Sequence, residues 1–569
     1  MADIETTDAT GTENQDVITT ARAWLAQDPD AETRAEIEAL LAAVNAGSAD
    51  AVAYLHDRFD TRLAFGTAGL RGRIEAGSAR MNRVLVSQAA AGLAAYLLER
   101  DPNPSIVIGY DGRKNSSVFA RDTAEIMAGA GVRAVLLPRL LPTPVLAFAV
   151  RHLDVSAGVM VTASHNPPAD NGYKVYLGGD DQGSQIVSPS DADIAAHITR
   201  VAAERNVLEL PRSDAFETAG DDVLDAYVRE TARVMTAKPV ELNVVYTAMH
   251  GVGWETFSRV AAEAGLTTIT PVTEQQFPDA AFPTVSFPNP EEPGALDLAY
   301  ATAREAGAEL IIANDPDADR LSIAIPDASK AEGYRQLSGN EVGWLLGWRA
   351  AVNNAEQPTL GGALACSIVS SPALAAVAEA YDLDFVETLT GFKWVSRVPN
   401  LLFGYEEALG YLVNPTTVRD KDGISAAIDF LSMVCFLKDQ GVTVERALEA
   451  FAEKFGYFAS DQLSLRVTDL SDIATIMAQL RAEPLQELGG VKVDEIDDLS
   501  DGFGELPPTD ALRFLLADGS RVMARPSGTE PKIKFYLDVQ RPTEKRAEAS
   551  VVLAAIKDDL AAIAKRATA

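Results

Sequence analysis

Ser164 stands at the end of the apolar run Val159-Met-Val161, inside the segment Thr162-Ala-Ser-His-Asn-Pro-Pro168. A strand is expected to deliver its hydroxyl to a turn that Pro167 and Pro168 stiffen. A hydroxyl held in that way is suited to act as a nucleophile or to carry a phosphoryl group. His165 and Lys174 follow closely enough to transfer a proton or to stabilise charge beside it. A Ser-His-Asn turn also caps helices, and this segment alone does not separate the two readings.

A second segment, Asn314-Asp-Pro-Asp-Ala-Asp-Arg320, places Asp315, Asp317 and Asp319 at alternate positions after another apolar run. In extended chain a period of two points all three carboxylates the same way. Three like charges so spaced are costly without a cation, and hard carboxylate oxygens suit Mg²⁺. An EF-hand begins similarly but needs Gly and Glu where this chain has Arg320 and Pro326. Arg320 is a natural partner for a phosphoryl oxygen next to a metal.

The third segment, Arg525-Pro-Ser-Gly-Thr-Glu-Pro-Lys-Ile-Lys534, joins Arg525, the hydroxyls of Ser527 and Thr529, Gly528, Lys532 and Lys534. These are the parts of a phosphate clamp: a bidentate guanidinium, hydroxyl donors and a glycine that permits close backbone approach. A fourth, Gly404-Tyr-Glu-Glu-Ala-Leu-Gly410, offers Glu406 and Glu407 as acceptors for sugar hydroxyls, with Thr390-Gly391-Phe-Lys393 and the turn Arg419-Asp-Lys421-Asp-Gly423 adding polar groups. Two glycine-rich turns, Phe65-Gly-Thr-Ala-Gly-Leu-Arg71-Gly72 and Gly109-Tyr-Asp-Gly-Arg113, lack the Lys-Ser/Thr ending of a nucleotide-binding P-loop.

The elements that must position these residues alternate in type. Helical spacing over 84–98, a short apolar run over 105–109, a helix over 117–130 and a run over 132–138 form one α/β unit. Strands over 242–247, 267–271 and 308–314, with helices over 255–265 and 296–307 between them, form a second. Strands over 362–368 and 384–388 around a helix over 372–381 belong to a third. After Phe455 the texture changes to a smaller α+β unit, with a strand over 461–467 and a last helix over 547–564. Linkers are expected near 207–220, 326–340 and 453–460. Residues 1 to about 16 read as an acidic disordered lead, and 17–59 as a helical extension.

Composition narrows the class. At 569 residues several domains are needed, roughly three to five. Forty-nine basic against 82 acidic side chains give a formal charge of −33, which disfavours nucleic acid and anionic membranes, so an anionic ligand must meet locally clustered cations. Five histidines without metal-pair spacing exclude a zinc hydrolase, and Cys366 and Cys435 read as reduced core thiols. The acidic start and the lack of a long apolar run lead us to expect a cytoplasmic protein.

Taken in order, TASHNP, DPDADR, GYEEALG and RPSGTEPKIK resemble the α-D-phosphohexomutase superfamily over about Phe65 to Tyr536. The resemblance implies an α/β fold of four domains around a central cleft: three α/β/α units with mixed sheets and a smaller C-terminal α+β domain. The boundaries expected are 1–60 for the tail and extension, 61–215 with the phosphoserine loop, 216–335 with the metal loop, 336–457 with the sugar loop and 458–569 with the phosphate loop. It implies that Ser164 carries a phosphoryl group and ligates Mg²⁺ with Asp315, Asp317 and Asp319, and that Arg71, His165, Lys174 and Arg320 surround the transferring phosphate. Thr390, Gly391, Lys393, Glu406, Glu407 and Lys421 would contact the sugar, and Arg525, Ser527, Gly528, Thr529, Lys532 and Lys534 its other phosphate.

The activity implied is a phosphosugar mutase working through a bisphosphate, with a glucose 1,6-bisphosphate type of activator, as monomer or homodimer. The family commonly has Glu-x-Ser in the sugar loop, whereas here Glu406 is followed by Glu407 and Ala408. With FGTAGLRG, TGFKW and RDKDG, the GYEEALGY form looks most like the phosphoglucomutase-2 and phosphopentomutase branch. Glucose phosphate is the first expectation, with ribose or deoxyribose phosphate and mannose phosphate as alternatives. A metal-assisted serine phosphatase uses the same parts, but a separate clamp for a second phosphate counts against it.

Overall fold

In the computed structural model, described residues are 3–66, 69–356, 362–467, 470–504, 506–526 and 532–567. The chain divides into two compact units, one of residues 1–335 with 416–428 and the other of 336–415 with 429–569.

The first unit holds two mixed sheets. In one, Ala157–Val161, Ser105–Tyr110, Arg133–Leu136 and Glu217–Thr218 run parallel, while Asp170–Leu177 returns antiparallel to Ala157–Val161 and pairs in turn with Leu70–Arg73. Val159, Val161, Ile106, Ile108 and Tyr173 are buried among Leu85, Leu93 and Phe119 of the covering helices. Each such side chain contributes about 1.5–3 kcal/mol, which fixes the register that brings the Ser164 strand end beside Lys174. The second sheet runs Tyr334–Gln336, Ser322–Pro326, Leu310–Ala313, Val244–Thr247, Ile269–Pro271. Leu310–Ala313 and Ser322–Pro326 are antiparallel neighbours, with Ala313 opposite Ser322, so residues 314–321 form the connection between them.

The second unit has a mixed sheet, Asp384–Thr388, Ala363–Ser367, Leu401–Glu406, Gly410–Leu412, and an antiparallel one in which Tyr457–Arg466, Lys532–Arg541, Arg521–Pro526, Leu512–Leu516, Val491–Asp498 and Glu487–Leu488 lie in that order. Helices Leu470–Ala482 and Arg546–Ala567 pack on the latter through Ile476, Leu480, Ile556 and Leu560. Three mixed α/β sheets followed by a smaller antiparallel α+β portion is the fold class expected. Both cysteines are buried, in keeping with the core positions expected of them. Among the described residues no helix is long and apolar enough to cross a membrane.

Three expectations are corrected. Over its described residues the lead is not disordered: Asp3–Gln27 is one helix. Helices Ala31–Asn45 and Ala49–Phe59 follow, capped by Asp30 and Ser48, and Trp24, Ile37, Leu55 and Phe59 join Val84 and Ile126 in a common core. The stretch near 453–460 is no linker, because the helix Val444–Phe455 passes through Gly456 (φ +98°) straight into the strand Tyr457–Arg466. The stretches near 207–220 and 326–340 each supply an edge strand, Glu217–Thr218 and Tyr334–Gln336.

Candidate active site

Ser164 lies three residues beyond the strand Ala157–Val161 and is only 2% exposed. Its φ of +52° is left-handed, which a non-glycine residue adopts at a cost of about 1 kcal/mol, so its surroundings must enforce it. Arg113 does much of this. Its guanidinium donates to the carbonyls of Ser164 (2.5 Å), Asn166 (2.6 Å), Pro167 (2.9 Å) and Asp170 (3.2 Å), while the Ser164 N–H donates to Thr162 Oγ1 at 2.8 Å. The turn is thus clamped on its carbonyl side and its hydroxyl is left to face outward from the strand end.

The hydroxyl donates to Asp315 Oδ2 at 2.8 Å and lies 3.2 Å from His165 Nδ1. Asp315, Asp317 and Asp319 are fully buried, and one oxygen of each lies within 4.8 Å of the others. The loop that carries them is pinned at both ends. Thr143 donates to it through its N–H, to the Asp317 carbonyl (3.0 Å), and through its hydroxyl, to Asp317 Oδ2 (2.7 Å), and Arg320 N–H donates to Asp315 Oδ1 (3.0 Å). Lys174 Nζ is 2.8 Å from both Asp317 Oδ2 and Asp319 Oδ2, and Lys421 Nζ is 2.8 Å from Asp319 Oδ2.

The strand Asp170–Leu177 explains how the two lysines converge. Lys174 and Tyr176 share one face of it, since side chains alternate. Tyr176 OH donates to Asp420 Oδ2 (2.9 Å), as does Gln185 (2.7 Å), and Tyr227 OH donates to Asp422 (2.9 Å), which seats the turn 419–423 with Lys421 between two anchored carboxylates. Gly423 is required there, for a Cβ would come within 2.2 Å of the Arg320 carbonyl. Gly172 plays a similar part, letting the strand pass between the carbonyls of Thr162 and Leu70, which a Cβ would meet at 2.5 and 2.8 Å. Arg71 is opposite Gly172 on the neighbouring strand and donates to Asn166 Oδ1 at 3.4 Å.

The electrostatics follow from burial. Burial, with Asp317 and Asp319 beside it, pushes the Asp315 carboxyl well above the ordinary carboxylate range. Burial acts the same way on Asp319, but Lys174, Lys421 and Arg320 outweigh it and hold that group low. Burial also pulls His165 well below its usual value, helped by Arg320 and Arg71, so its imidazole is neutral. Although the lysines occupy the Oδ2 side of the trio, Asp317 Oδ1 and Asp319 Oδ1 are buried with no hydrogen-bond partner among the described residues. Orphaned carboxylate oxygens beside a like-charged neighbour fit a hard divalent cation, so the trio can hold a metal ion.

In the second unit, Glu406 ends the strand Leu401–Glu406 and its Oε1 accepts the Gly391 N–H at 2.6 Å. Gly391 has φ +113° and opens the short helix Phe392–Val395 that carries Lys393, with Thr390 half-buried just before it. The Glu407 carboxylate turns inward, accepting from Ser370 Oγ (2.8 Å) and Ser367 Oγ (3.2 Å). Arg525 is directly opposite Lys534 on paired strands, and Lys532 lies on the same face, so three cations line one side of a hairpin stem. Ser527, Gly528 and Thr529 lie outside the described residues, as do Thr67 and Ala68 of the glycine-rich turn.

The structure therefore gathers Ser164, His165, Lys174, Arg71, Arg320 and the three aspartates, with Lys421 paired to Asp319. Arg113 and Thr143 were missed as site residues. The turn containing Arg113 is visible in the sequence, but nothing in its spacing tells that the guanidinium reaches back to the Ser164 loop.

Four family models match the chain consecutively. They are phosphoglucomutase/phosphomannomutase α/β/α domain I over residues 62–205, domain II over 225–328, domain III over 338–455 and the C-terminal domain over 465–555. A probable phosphomannomutase of Haemophilus influenzae is 58% identical over 468 residues, covering 82% of this chain and 95% of that protein. A probable phosphoribomutase of Schizosaccharomyces pombe is 35% identical over 556 residues, covering 90% and 92%. A phosphoglucomutase of Staphylococcus haemolyticus is 35% identical over 509 residues, covering 84% and 91%.

Proposed function

Since the chain belongs to the phosphoglucomutase/phosphomannomutase family and is an intramolecular phosphotransferase, we propose that it interconverts the 1- and 6-phosphates of a hexose, glucose foremost. Phosphorylated Ser164 and a sugar bisphosphate are the intermediates of this reading, and glucose 1,6-bisphosphate is its priming activator. The observation that carries it is the Ser164 hydroxyl, 2.8 Å from Asp315 at the edge of a buried carboxylate trio with orphaned oxygens.

Asp315, Asp317, Asp319 and Ser164 would hold Mg²⁺, which when bound supplies Lewis-acid neutralisation of phosphoryl oxygens. In the first half-reaction the P–O bond at Ser164 breaks as the free hydroxyl oxygen of the sugar monophosphate bonds to phosphorus. The hydroxyl proton passes to a base on the attacking side, and Ser164 Oγ takes up a proton as it leaves on the opposite, in-line side, where His165 Nδ1 lies 3.2 Å from it. Lys174 and Lys421 are pinned on Asp317 and Asp319 as countercharge, and Arg320 and Arg71 are half-buried cations suited to the phosphoryl oxygens. The bisphosphate then turns round, the Ser164 hydroxyl gives up its proton as Oγ bonds to the other phosphorus, and the sugar oxygen released there takes up a proton.

Meanwhile the phosphate that is not reacting would rest on Arg525, Ser527, Gly528, Thr529, Lys532 and Lys534, and Thr390, Gly391, Lys393, Glu406, Glu407 and Lys421 would meet the sugar. Remote binding energy of that kind aligns the reacting centre. We assign the domains as 61–215, 216–335, 336–457 and 458–569, with 1–60 as an extension, and the extents of the four family models support these limits.

The choice of glucose rests on the form GYEEALGY with TGFKW and RDKDG, while the names of the relatives make mannose and ribose phosphates the competitors. A coupled assay with Mg²⁺ and a trace of hexose bisphosphate, offering glucose, mannose and ribose 1-phosphates in parallel and following free phosphate, tests the reading. Isomerisation with the highest kcat/KM for glucose 1-phosphate is expected. A higher value for either competitor overturns the sugar assignment, and phosphate release without isomerisation overturns the mutase.

A further inference from the structure

Residues 276–296 of the first unit contain neither helix nor strand, and a stretch of that length inside a compact unit usually serves a site. Pro278, Pro283, Pro288, Pro290 and Pro293 stiffen it. The loop is fastened at Thr284, whose hydroxyl accepts from Gln275 Nε2 (2.9 Å) and lies 2.8 Å from His250 Nε2. From there it reaches the Ser164 turn twice. The Phe282 ring lies 5.0 Å from the guanidinium carbon of Arg113, which clamps that turn, and the Phe287 ring meets the His165 ring edge to face, with centroids 6.0 Å apart. Asn289, 7% exposed, then shapes the chain: its Oδ1 accepts the Glu291 N–H (3.2 Å) and its carbonyl accepts the Glu292 N–H (3.0 Å). The Glu291 carboxylate is thereby brought to 3.8 Å from Arg320 Nη1, with its own side chain still 40% exposed. Arg320 Nε is buried with no hydrogen-bond partner among the described residues. The guanidinium beside the aspartate trio is thus faced by a carboxylate that stands just too far away for a hydrogen bond.

We propose that Glu291 is a positioning residue, a stand-in anion that steadies the Arg320 guanidinium while no phosphoryl group is present and yields it when one arrives. The proposal rests on the reading that the phosphoryl group transferred at Ser164 meets Arg320. A long, half-exposed ion pair is weak enough to be given up, whereas a phosphoryl group offers the guanidinium close, bidentate, charge-assisted hydrogen bonds. Glu291 also opposes the incoming anion by like charge, which eases the release that a bisphosphate needs before it can turn round. Removing its charge should therefore tighten the hold on the bisphosphate and slow turnover, whereas simple damage to the loop would weaken both.

The test measures binding of glucose 1,6-bisphosphate, in the presence of Mg²⁺, by isothermal titration of the full-length Ser164→Ala protein, which cannot take up the phosphoryl group. Adding Glu291→Gln to that protein is expected to lower Kd about threefold, and Glu291→Gln with Ser164 intact is expected to lower kcat for glucose 1-phosphate by a similar factor. Glu292→Gln, the same change of charge one residue further on, is expected to leave Kd as it was. An unchanged or weaker affinity in the Glu291→Gln protein overturns the stand-in, and so does an equal gain in Glu292→Gln, which would make the effect one of net charge alone. If adding Arg320→Ala to the Ser164→Ala protein leaves bisphosphate affinity untouched, the phosphoryl contact itself is misread and the stand-in falls with it. Loss of affinity in Arg320→Ala together with no change in Glu291→Gln overturns the stand-in alone.

Discussion

Ser164 and the three aspartates are at most 2% exposed, and the Ser164 hydroxyl, Lys174 and Lys421 each hold a carboxylate oxygen at 2.8 Å. Arg525, Lys532 and Lys534, by contrast, are half-buried along a hairpin stem, where Lys534 donates to Gln462 at 3.5 Å and lies 5.8 Å from the Tyr536 ring centre. The first region is built as a preorganised, water-poor centre in which charge is arranged before substrate arrives. The second clusters half-exposed cations on one face of a hairpin, which suits the capture of a phosphate that enters, leaves and is exchanged for another. Chemistry and recognition are thereby given different stiffness, and each perturbation should have a different signature in the two regions.

The sharpest contrast comes from Ser164→Ala, expected to lower turnover by at least about a thousandfold while equilibrium binding of the sugar phosphate persists, as isothermal titration will read. Asp317→Asn comes next. It removes one orphaned carboxylate oxygen and leaves Lys174 with a weaker partner, so kcat is expected to fall about a hundredfold and Mg²⁺ affinity, measured directly by titration, to drop with it. Arg525→Ala belongs to the other region and should act on kcat and KM together, lowering kcat/KM by about tenfold to a hundredfold. An effect of Arg525→Ala on kcat alone would erase the distinction between centre and clamp.

The smallest expected effect concerns the turn that seats Lys421. Burial pushes the Asp422 carboxyl up to about 6, although the N–H groups of Ser425 and Ile424 and the Tyr227 hydroxyl favour its charged form. The folded chain therefore keeps this proton at pH values where the unfolded chain has lost it. The group's contribution to stability is full below the ordinary carboxylate range and declines as pH rises to about 6. Asp422→Asn should flatten that part of the curve of melting temperature against pH without shifting the acid side.

Much of this was legible in the sequence because the loops that matter follow apolar strands directly. TASHNP and DPDADR are each continuous, so local order alone placed Ser164 and the aspartates at strand ends. The pairing of Lys421 with Asp319 is not legible in the sequence, since it depends on Tyr176 and Tyr227 anchoring Asp420 and Asp422, a tertiary arrangement with no local trace. Arg113 escaped for a similar reason: its acceptors are backbone carbonyls more than fifty residues away, and a carbonyl leaves no mark on residue type. The inward turn of Glu407 depends on Ser367 and Ser370, two serines that read as ordinary strand-end residues. The acidic lead was misjudged because composition measures solubility, whereas the helix Asp3–Gln27 continues into the buried Val17, Ala21 and Trp24.

The central claim is that Ser164 carries the phosphoryl group between the two positions of the sugar. The most direct test is peptide mass spectrometry of the protein after incubation with Mg²⁺ and glucose 1,6-bisphosphate, followed by a chase with glucose 1-phosphate. The account predicts a single added phosphoryl group on Ser164 that the chase transfers to sugar with no free phosphate formed. Isomerisation by a protein that is never modified at Ser164, or a label lost only to water, would contradict it.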